Sequence, residues 1–177
     1  QNAFAGCHQL CSLTLPGIKS IGTSVFGYLT GLFEVNLPSI TSISSYAFRE
    51  CPNLISITAQ NCTSIGSYAF FSCAKLKTIN MENVTTINSY AFDKCSSLEY
   101  VNFPKLQDLG ARAFSYTGLK EVEFNTLTIA GTDDYNYKDH GAQFEGCDAL
   151  THVTMNLMTY VQIEMFYGCG QLDFVDM

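Results

Sequence analysis

The fold class predicted is a solenoid of stacked coils, mostly β, with a parallel sheet along one wall, and three observations predict it. Phenylalanine recurs at positions 4, 26, 48, 70, 92 and 114 with a period of 22, then after one longer gap at 144 and 166. A leucine slot accompanies it, holding Leu10, Leu32, Leu54, Leu76, Leu98, Leu119, Leu150 and Leu172. Beyond each leucine, two apolar slots alternate with polar residues. A fixed period of this length implies small units that share one continuous core and cannot fold singly. The chain therefore reads as one domain, residues 1–177, of about eight 22-residue coils, and as a segment of a longer protein.

The first element of each coil is a strand. Its inner slots hold Leu13, Val35, Ile57, Ile79, Val101, Val122, Val153 and Val175, followed two residues on by Leu15, Leu37, Ala59, Met81, Phe103, Phe124, Met155 and Met177. Alternation at period 2 marks a half-buried strand, and one strand per coil makes a parallel sheet. Pro16, Pro38 and Pro104 follow it, where a residue without an N–H ends the pairing. A second, Ile-rich pair of slots, with Ile21, Ile43, Ile65 and Ile87 in the later one, predicts a short strand on the opposite wall. Gly22, Ser44, Gly66, Asn88 and Gly110 then form a corner. The Ser-Tyr-Ala-Phe run after it is too short for a free-standing helix, and reads as a single helical or 3₁₀ turn that drops the phenylalanine into the core. Tyr46, Tyr68 and Tyr90 form a column whose stacked rings read as packing.

Six of the eight cysteines, Cys7, Cys51, Cys73, Cys95, Cys147 and Cys169, lie three residues after a repeat phenylalanine. They form a column with no natural pairing and are read as buried free thiols. The spacing contains no C-x-x-C pair for a structural zinc, and no cofactor is called for.

The pattern C-x-x-L-x-x-I-x-L-P-x-x-I-x-x-I-G-x-x-A-F, carried by Cys95 to Phe114 with Leu or Val substitutions and Phe103 in the third slot, closely resembles the BspA-like leucine-rich repeat. The resemblance covers nearly the whole chain. It departs from the common leucine-rich repeat at the asparagine position, which holds Ile, Val, Leu or Met in every coil except that of Cys62. The resemblance implies a leucine-rich-repeat solenoid, curved as a right-handed superhelix. It also implies a surface or secreted binding and adhesion module of the Treponema and Bacteroides type, whose partner is a protein or glycan on a host or neighbouring cell.

Charge narrows the function classes. Residues 1–90 carry a net charge of +1 and residues 91–177 a net of −8, so the acidic half offers no basic cluster for phosphate and argues against nucleic acid. No apolar stretch is long enough to span a bilayer. Neither G-x-S-x-G, H-E-x-x-H nor a Gly-rich phosphate loop is present, and a non-catalytic role is expected.

Candidate binding residues fall where the repeat gives way. One residue is missing before Leu119, and an acidic insertion at about 131–139 stretches the next phenylalanine gap to 30. That insertion contributes Asp133, Asp134, Tyr135 and Tyr137, whose spacing does not match a calcium loop. On the outer sheet face, small Ser, Thr and Asn side chains give way toward the C-terminal end to Tyr100, Asn102, Glu121, Glu123, His152 and Phe174, a mixture of aromatic and polar groups suited to recognition. The alternative is a structural spacer that displays another domain and binds nothing. Asn61-Cys-Thr and Asn83-Val-Thr match the glycosylation acceptor pattern, relevant only in a secreting eukaryote.

Overall fold

A computed structural model describes the chain except residues 1, 2, 5, 131–140, 160, 162 and 163. In chain order the strands are β1 (Ser12–Thr14), β2 (Glu34–Asn36), β3 (Ser42–Ile43), β4 (Ser56–Thr58), β5 (Ser64–Ile65) and β6 (Thr78–Asn80). They continue with β7 (Thr86–Ile87), β8 (Asp108–Leu109), β9 (Glu121–Glu123), β10 (Ile129–Ala130), β11 (His152–Thr154) and β12 (Phe174–Asp176). All pairings are parallel and join equivalent slots, as in Leu13↔Val35, Ile57↔Ile79 and Val122↔Val153. The period sets the register: a slip of one residue would turn each buried aliphatic outward.

The first wall is two sheets in line, β1-β2-β4-β6 and β9-β11-β12. The second wall carries β3, β5, β7, β8 and β10, which places the predicted Ile-rich strands as expected. The core between them is a single cluster running from Leu13 to Met165, with every repeat alanine and phenylalanine from Ala47 to Phe114 fully buried. The phenylalanine rings stack along the axis, 5.5 Å apart for Phe48–Phe70, 5.1 Å for Phe70–Phe92 and 5.3 Å for Phe92–Phe114. Eight such positions bound about seven turns, slightly fewer than the eight coils expected.

The third wall corrects the sequence reading. No helix occurs among the described residues, hence none that could cross a membrane. The Ser-Tyr-Ala-Phe run instead alternates left-handed residues with ordinary ones. Two columns of positive φ flank the phenylalanines: Tyr46, Tyr68 and Tyr90 two residues before (φ 61, 58 and 60), and Glu50, Ser72 and Lys94 two residues after (φ 54, 58 and 63). This alternation aims every second N–H along the axis. Tyr46, Phe48 and Glu50 donate to the carbonyls of Ser67, Ala69 and Phe71 in the next coil, at 2.9, 2.8 and 2.8 Å. A left-handed tyrosine costs roughly 1–2 kcal/mol. The inter-coil bonds oppose that cost, as does ring stacking, with Tyr46–Tyr68 at 5.0 Å and Tyr68–Tyr90 at 4.6 Å, both within 4° of parallel.

The cysteine column completes this wall. Cys51, Cys73, Cys95, Cys147 and Cys169 each donate Sγ to the phenylalanine carbonyl of the preceding coil, at 3.1 to 3.2 Å. Phe70 O thus accepts from Cys73 N in its own coil and from Cys95 Sγ in the next. A thiol fits because it is apolar enough to bury yet satisfies the second lone pair of a buried carbonyl. All eight cysteines are free; of the six expected to be buried, Cys7 is exposed and Cys169 half-buried, because each lies in an end coil of the described stack with no neighbour covering one side. Thr117, which the sequence reading passed over, occupies the same column: it is buried, donates to Phe114 O at 2.8 Å and lies 3.2 Å from Cys147 Sγ.

On the outside, Asn61 and Asn83 donate their amides to Pro38 O and Gln60 O one coil back, at 2.7 and 2.8 Å. The inner asparagine ladder of common leucine-rich repeats is thus replaced by an outer one.

Candidate binding groove

The first wall is expected to be a continuous sheet, but it opens at residues 100–102. Elsewhere the residue after each strand donates to the carbonyl that ends the next strand, as in Leu37 N to Thr58 O (2.8 Å), Ala59 N to Asn80 O (3.0 Å) and Phe124 N to Thr154 O (2.8 Å). The equivalent pairs Met81–Asn102 and Phe103–Glu123 make no such bond. Tyr100, Val101 and Asn102 have no backbone partner among the described residues, and only Lys120 N to Glu99 O (3.2 Å) spans the gap to the next coil.

Two departures from the repeat coincide with the opening. The Leu98–Leu119 spacing is 21 residues instead of 22. Phe103 fills a slot that holds Ala59 and Met81 in the coils before. Its ring packs against the stacked pair Phe92 and Phe114, with centroids 6.2 and 6.3 Å away.

The result is a groove of about 300 Å³ whose lining includes Tyr100, Asn102, Pro104, Glu121, Glu123 and His152. A second depression of about 280 Å³ lies on the other side of the same segment, against Lys77, Thr78 and Asn80. Tyr100 stands between the two with 67% of its surface exposed. Five of the residues nominated from sequence therefore line one concavity. Phe174 borders it, paired in register with His152 and with ring centroids 5.7 Å apart. Asp133, Asp134, Tyr135 and Tyr137 lie outside the described residues, as does His140. Val101, Pro104, Val122, Asn125 and Thr154 complete the lining without having been nominated; Thr154 was legible as an outward slot of its strand.

The groove is acidic and its carboxylates are not neutralised by neighbours. Lys120, the nearest lysine in sequence to Glu121, is turned to Glu99 at 2.6 Å, and that bond lowers the Glu99 pKa. Glu123 accepts from Asn125 Nδ2, and among the described residues no cation reaches either Glu121 or Glu123. His152 Nδ1 lies 2.9 Å from Thr151 Oγ1 and 3.7 Å from Asp173 Oδ1. Both neighbours share one ring nitrogen, so the relay of a nucleophile on one nitrogen and a carboxylate on the other is not assembled. The groove presents an exposed aromatic ring and two carboxylates without an ion-pair partner among the described residues.

A buried polar cluster lies where the coil re-enters after the insertion, and sequence reasoning missed it. Arg112 Nη1 meets Glu145 Oε2 at 2.6 Å, and Tyr116 donates its hydroxyl to Glu145 Oε1 at 2.6 Å, which raises the tyrosine pKa. Asp93 is buried beside them. Desolvation lifts its carboxyl to about 6, with Glu145 adding and Lys94 and Arg112 opposing. Gln143, fully buried, leaves both amide atoms without a partner. The available signal was substitution at repeat slots: Arg112 stands in the tyrosine column and Gln143 in the alanine column. The phenylalanine wall nevertheless runs through, with Arg112 N donating to Gly141 O and Phe114 N to Gln143 O. No group of residues with metal-binding geometry occurs among the described residues.

Known structures share this architecture. The leucine-rich repeat protein of T. pallidum is 26% identical over 81% of this chain and 69% of its own, with a TM-score of 0.68. A leucine-rich repeat protein from Eubacterium ventriosum is 21% identical over 88% of this chain and 38% of its own (TM-score 0.56). A leucine rich cell surface protein from Faecalibacterium prausnitzii is 18% identical over 93% and 80% (TM-score 0.52). The last two similarities concern the fold alone. None of the curated proteins matches by sequence. The model of the BspA type leucine rich repeat region matches in six copies over residues 1–120 and 82–177. With its 22-residue period, its phenylalanine column and that match, the chain belongs to the BspA-type leucine-rich repeat family.

Proposed function

We propose that this chain is a non-catalytic binding module, secreted or at the cell surface, which contacts a protein or glycan on a host or neighbouring cell. The observation that carries the reading is the groove beside Tyr100, where an exposed ring and carboxylates without an ion-pair partner among the described residues converge at the break between β6 and β9. Solenoids of this kind offer an extended surface whose side chains vary without disturbing the stack. Leucine-rich repeat proteins generally mediate protein binding, and a fold neighbour described as a cell surface protein supports the location. Asp133, Asp134, Tyr135 and Tyr137 of the insertion are read as a second point of contact.

Protein and glycan arrays probed with the wild-type chain test this. A reproducible ligand is expected, weakened at least tenfold by Tyr100→Ala combined with His152→Ala in a protein of unchanged circular dichroism. Deletion of residues 131–139 should weaken it further. If no ligand is found, the chain is a spacer; a ligand retained by both variants overturns the assignment of binding to the groove and the insertion.

A further inference from the structure

A second hollow lies on the third wall, away from the groove. Four left-handed residues stand in line there along the axis, Tyr28, Glu50, Ser72 and Lys94, with φ of 64, 54, 58 and 63°. Each is fixed by its own N–H, which donates into the next coil, to the carbonyls of Arg49, Phe71, Asp93 and Ser115 at 2.8 to 2.9 Å. Ser72 is the small member of this line, and over it opens a depression of about 400 Å³ that reaches from Tyr28 to Lys94. That volume is in the range of small-ligand sites, about 300–1,000 Å³. Phe71, an aromatic outside the repeat slots, forms its side. The charges around the hollow are held in place and do not meet. Arg49 Nε donates to Glu50 Oε1 at 3.0 Å, and its guanidinium lies over the rings of Tyr28, Tyr46 and Phe71, 5.7, 5.7 and 5.4 Å from their centroids. Glu50 Oε2 is left without a hydrogen-bond partner among the described residues. One coil beyond Ser72, Lys94 Nζ lies over the Phe71 ring at 5.2 Å and pairs with no carboxylate among the described residues; its chain neighbour Asp93 is buried.

We propose that this hollow is a further binding site, independent of the groove, and that it takes an acidic sugar residue of a glycan, a pyranose bearing a carboxylate. Lys94 supplies the unpaired cation that receives the carboxylate. Arg49 already balances the charge of Glu50, so the open oxygen of Glu50 suits a neutral donor better than a second cation, and a sugar hydroxyl is such a donor. Thr30 and Ser72 add hydroxyls of their own, and Tyr28, half exposed, offers its ring to the apolar C–H face of a pyranose. A bare sulfate or phosphate would satisfy Lys94 and leave Glu50 and Tyr28 unused. An acidic peptide side chain would reach Lys94 but bring no hydroxyl to Glu50. Charge also separates the two sites. The hollow lies almost wholly in the half of net +1, whereas the groove lies in the half of net −8, which repels an anionic ligand.

Isothermal titration of the whole chain at low salt and pH 7 tests this. The probes are digalacturonic acid and sialyllactose, which carry the carboxylates of the two common classes of acidic sugar; the digalacturonate methyl ester and lactose, their neutral counterparts; and a capped dipeptide of glutamate. At least one of the two acids is expected to bind, at least tenfold more tightly than its neutral counterpart and than the dipeptide. Lys94→Gln should bring that acid down to the level of its neutral counterpart. Ser72→Tyr fills the hollow with a residue type that already holds the same left-handed position at Tyr28 and Tyr116, and should abolish binding in a protein of unchanged circular dichroism. The groove variant, Tyr100→Ala with His152→Ala, should bind as the wild type does. No binding of either acid, equal binding of acid and neutral sugar, or binding that survives Ser72→Tyr overturns the site, and dipeptide binding equal to that of the acids overturns the sugar. If binding is lost in the groove variant and kept in Ser72→Tyr, the ligand belongs to the groove: this inference falls while the binding-module reading stands.

Discussion

Asp93 is the residue whose surroundings diverge most from its type. A carboxyl normally titrates near 3.9, and burial lifts this one to about 6 despite Lys94 and Arg112 nearby. The folded state therefore holds the proton more tightly than the unfolded chain does. Stability is lowest above pH 6, rises as the pH falls through about 6, and the gain is complete near the unfolded value of about 4. Asp93→Asn should remove that segment of the pH profile and stabilise the protein at pH 7 by at most about 2–3 kcal/mol, measured by urea denaturation at pH 5 and 7. A profile unchanged by the substitution would mean that Arg112 already compensates the charge. The cysteines illustrate the same cause acting on a thiol. Burial pushes Cys62 up to about 11 and Cys147 up to about 12, so neither forms thiolate at pH 8. In the native protein, Cys7 and Cys11 should alkylate first, being the two exposed thiols, and all eight should react under denaturing, non-reducing conditions. Fewer than eight would reveal a disulfide in place of the thiol-to-carbonyl column.

At the scale of the element, the corners and the left-handed columns decide how closely coils stack. The corner glycine is a steric requirement: an added Cβ at Gly66 would lie 2.4 Å from Ser45 N, and at Gly110 2.3 Å from Ser89 N, both backbone atoms that cannot rotate away. Gly66→Ala should therefore cost about 1–3 kcal/mol through forced separation of two coils. Gly17→Ala, where a Cβ meets nothing within 4 Å, should stay within about 0.5 kcal/mol of wild type. Thermal or urea unfolding of the two variants gives the comparison, and equal stability would show that the corner relaxes freely. The strands were legible because period-2 alternation is a property of the side chains. The left-handed columns were not: Tyr46, Glu50 and Lys94 are not residue types that favour positive φ, and only the inter-coil hydrogen bonds make that conformation worthwhile.

Across the whole molecule, regularity and exception are divided along the chain. The phenylalanine stack continues through the longer coil, with Phe114–Phe144 at 5.9 Å and within 9° of parallel, so the insertion leaves the core uninterrupted. The exceptions gather between the coil of Tyr100 and that of Phe174: the shortened coil, the sheet opening, the buried Asp93–Arg112–Glu145 cluster and the acidic excess. A repeat array tolerates this because each coil contacts only its neighbours, and strain introduced at one junction is not transmitted to the rest.

What the sequence by itself determined is the stack, its period, the two strand walls, the phenylalanine column, the buried cysteines from Cys51 to Cys147 and the set of outward residues. All follow from which side chains must be removed from water at a fixed spacing. Tertiary structure alone decided that the Ser-Tyr-Ala-Phe run is a left-handed ladder and that the sheet parts at Tyr100. Val101 and Phe103 keep the apolar pattern through the opening; the residue missing before Leu119 marks the coil as irregular without saying which backbone bonds it loses. Which backbone hydrogen bonds form there depends on how neighbouring coils sit against one another, and no single coil's side-chain pattern records that.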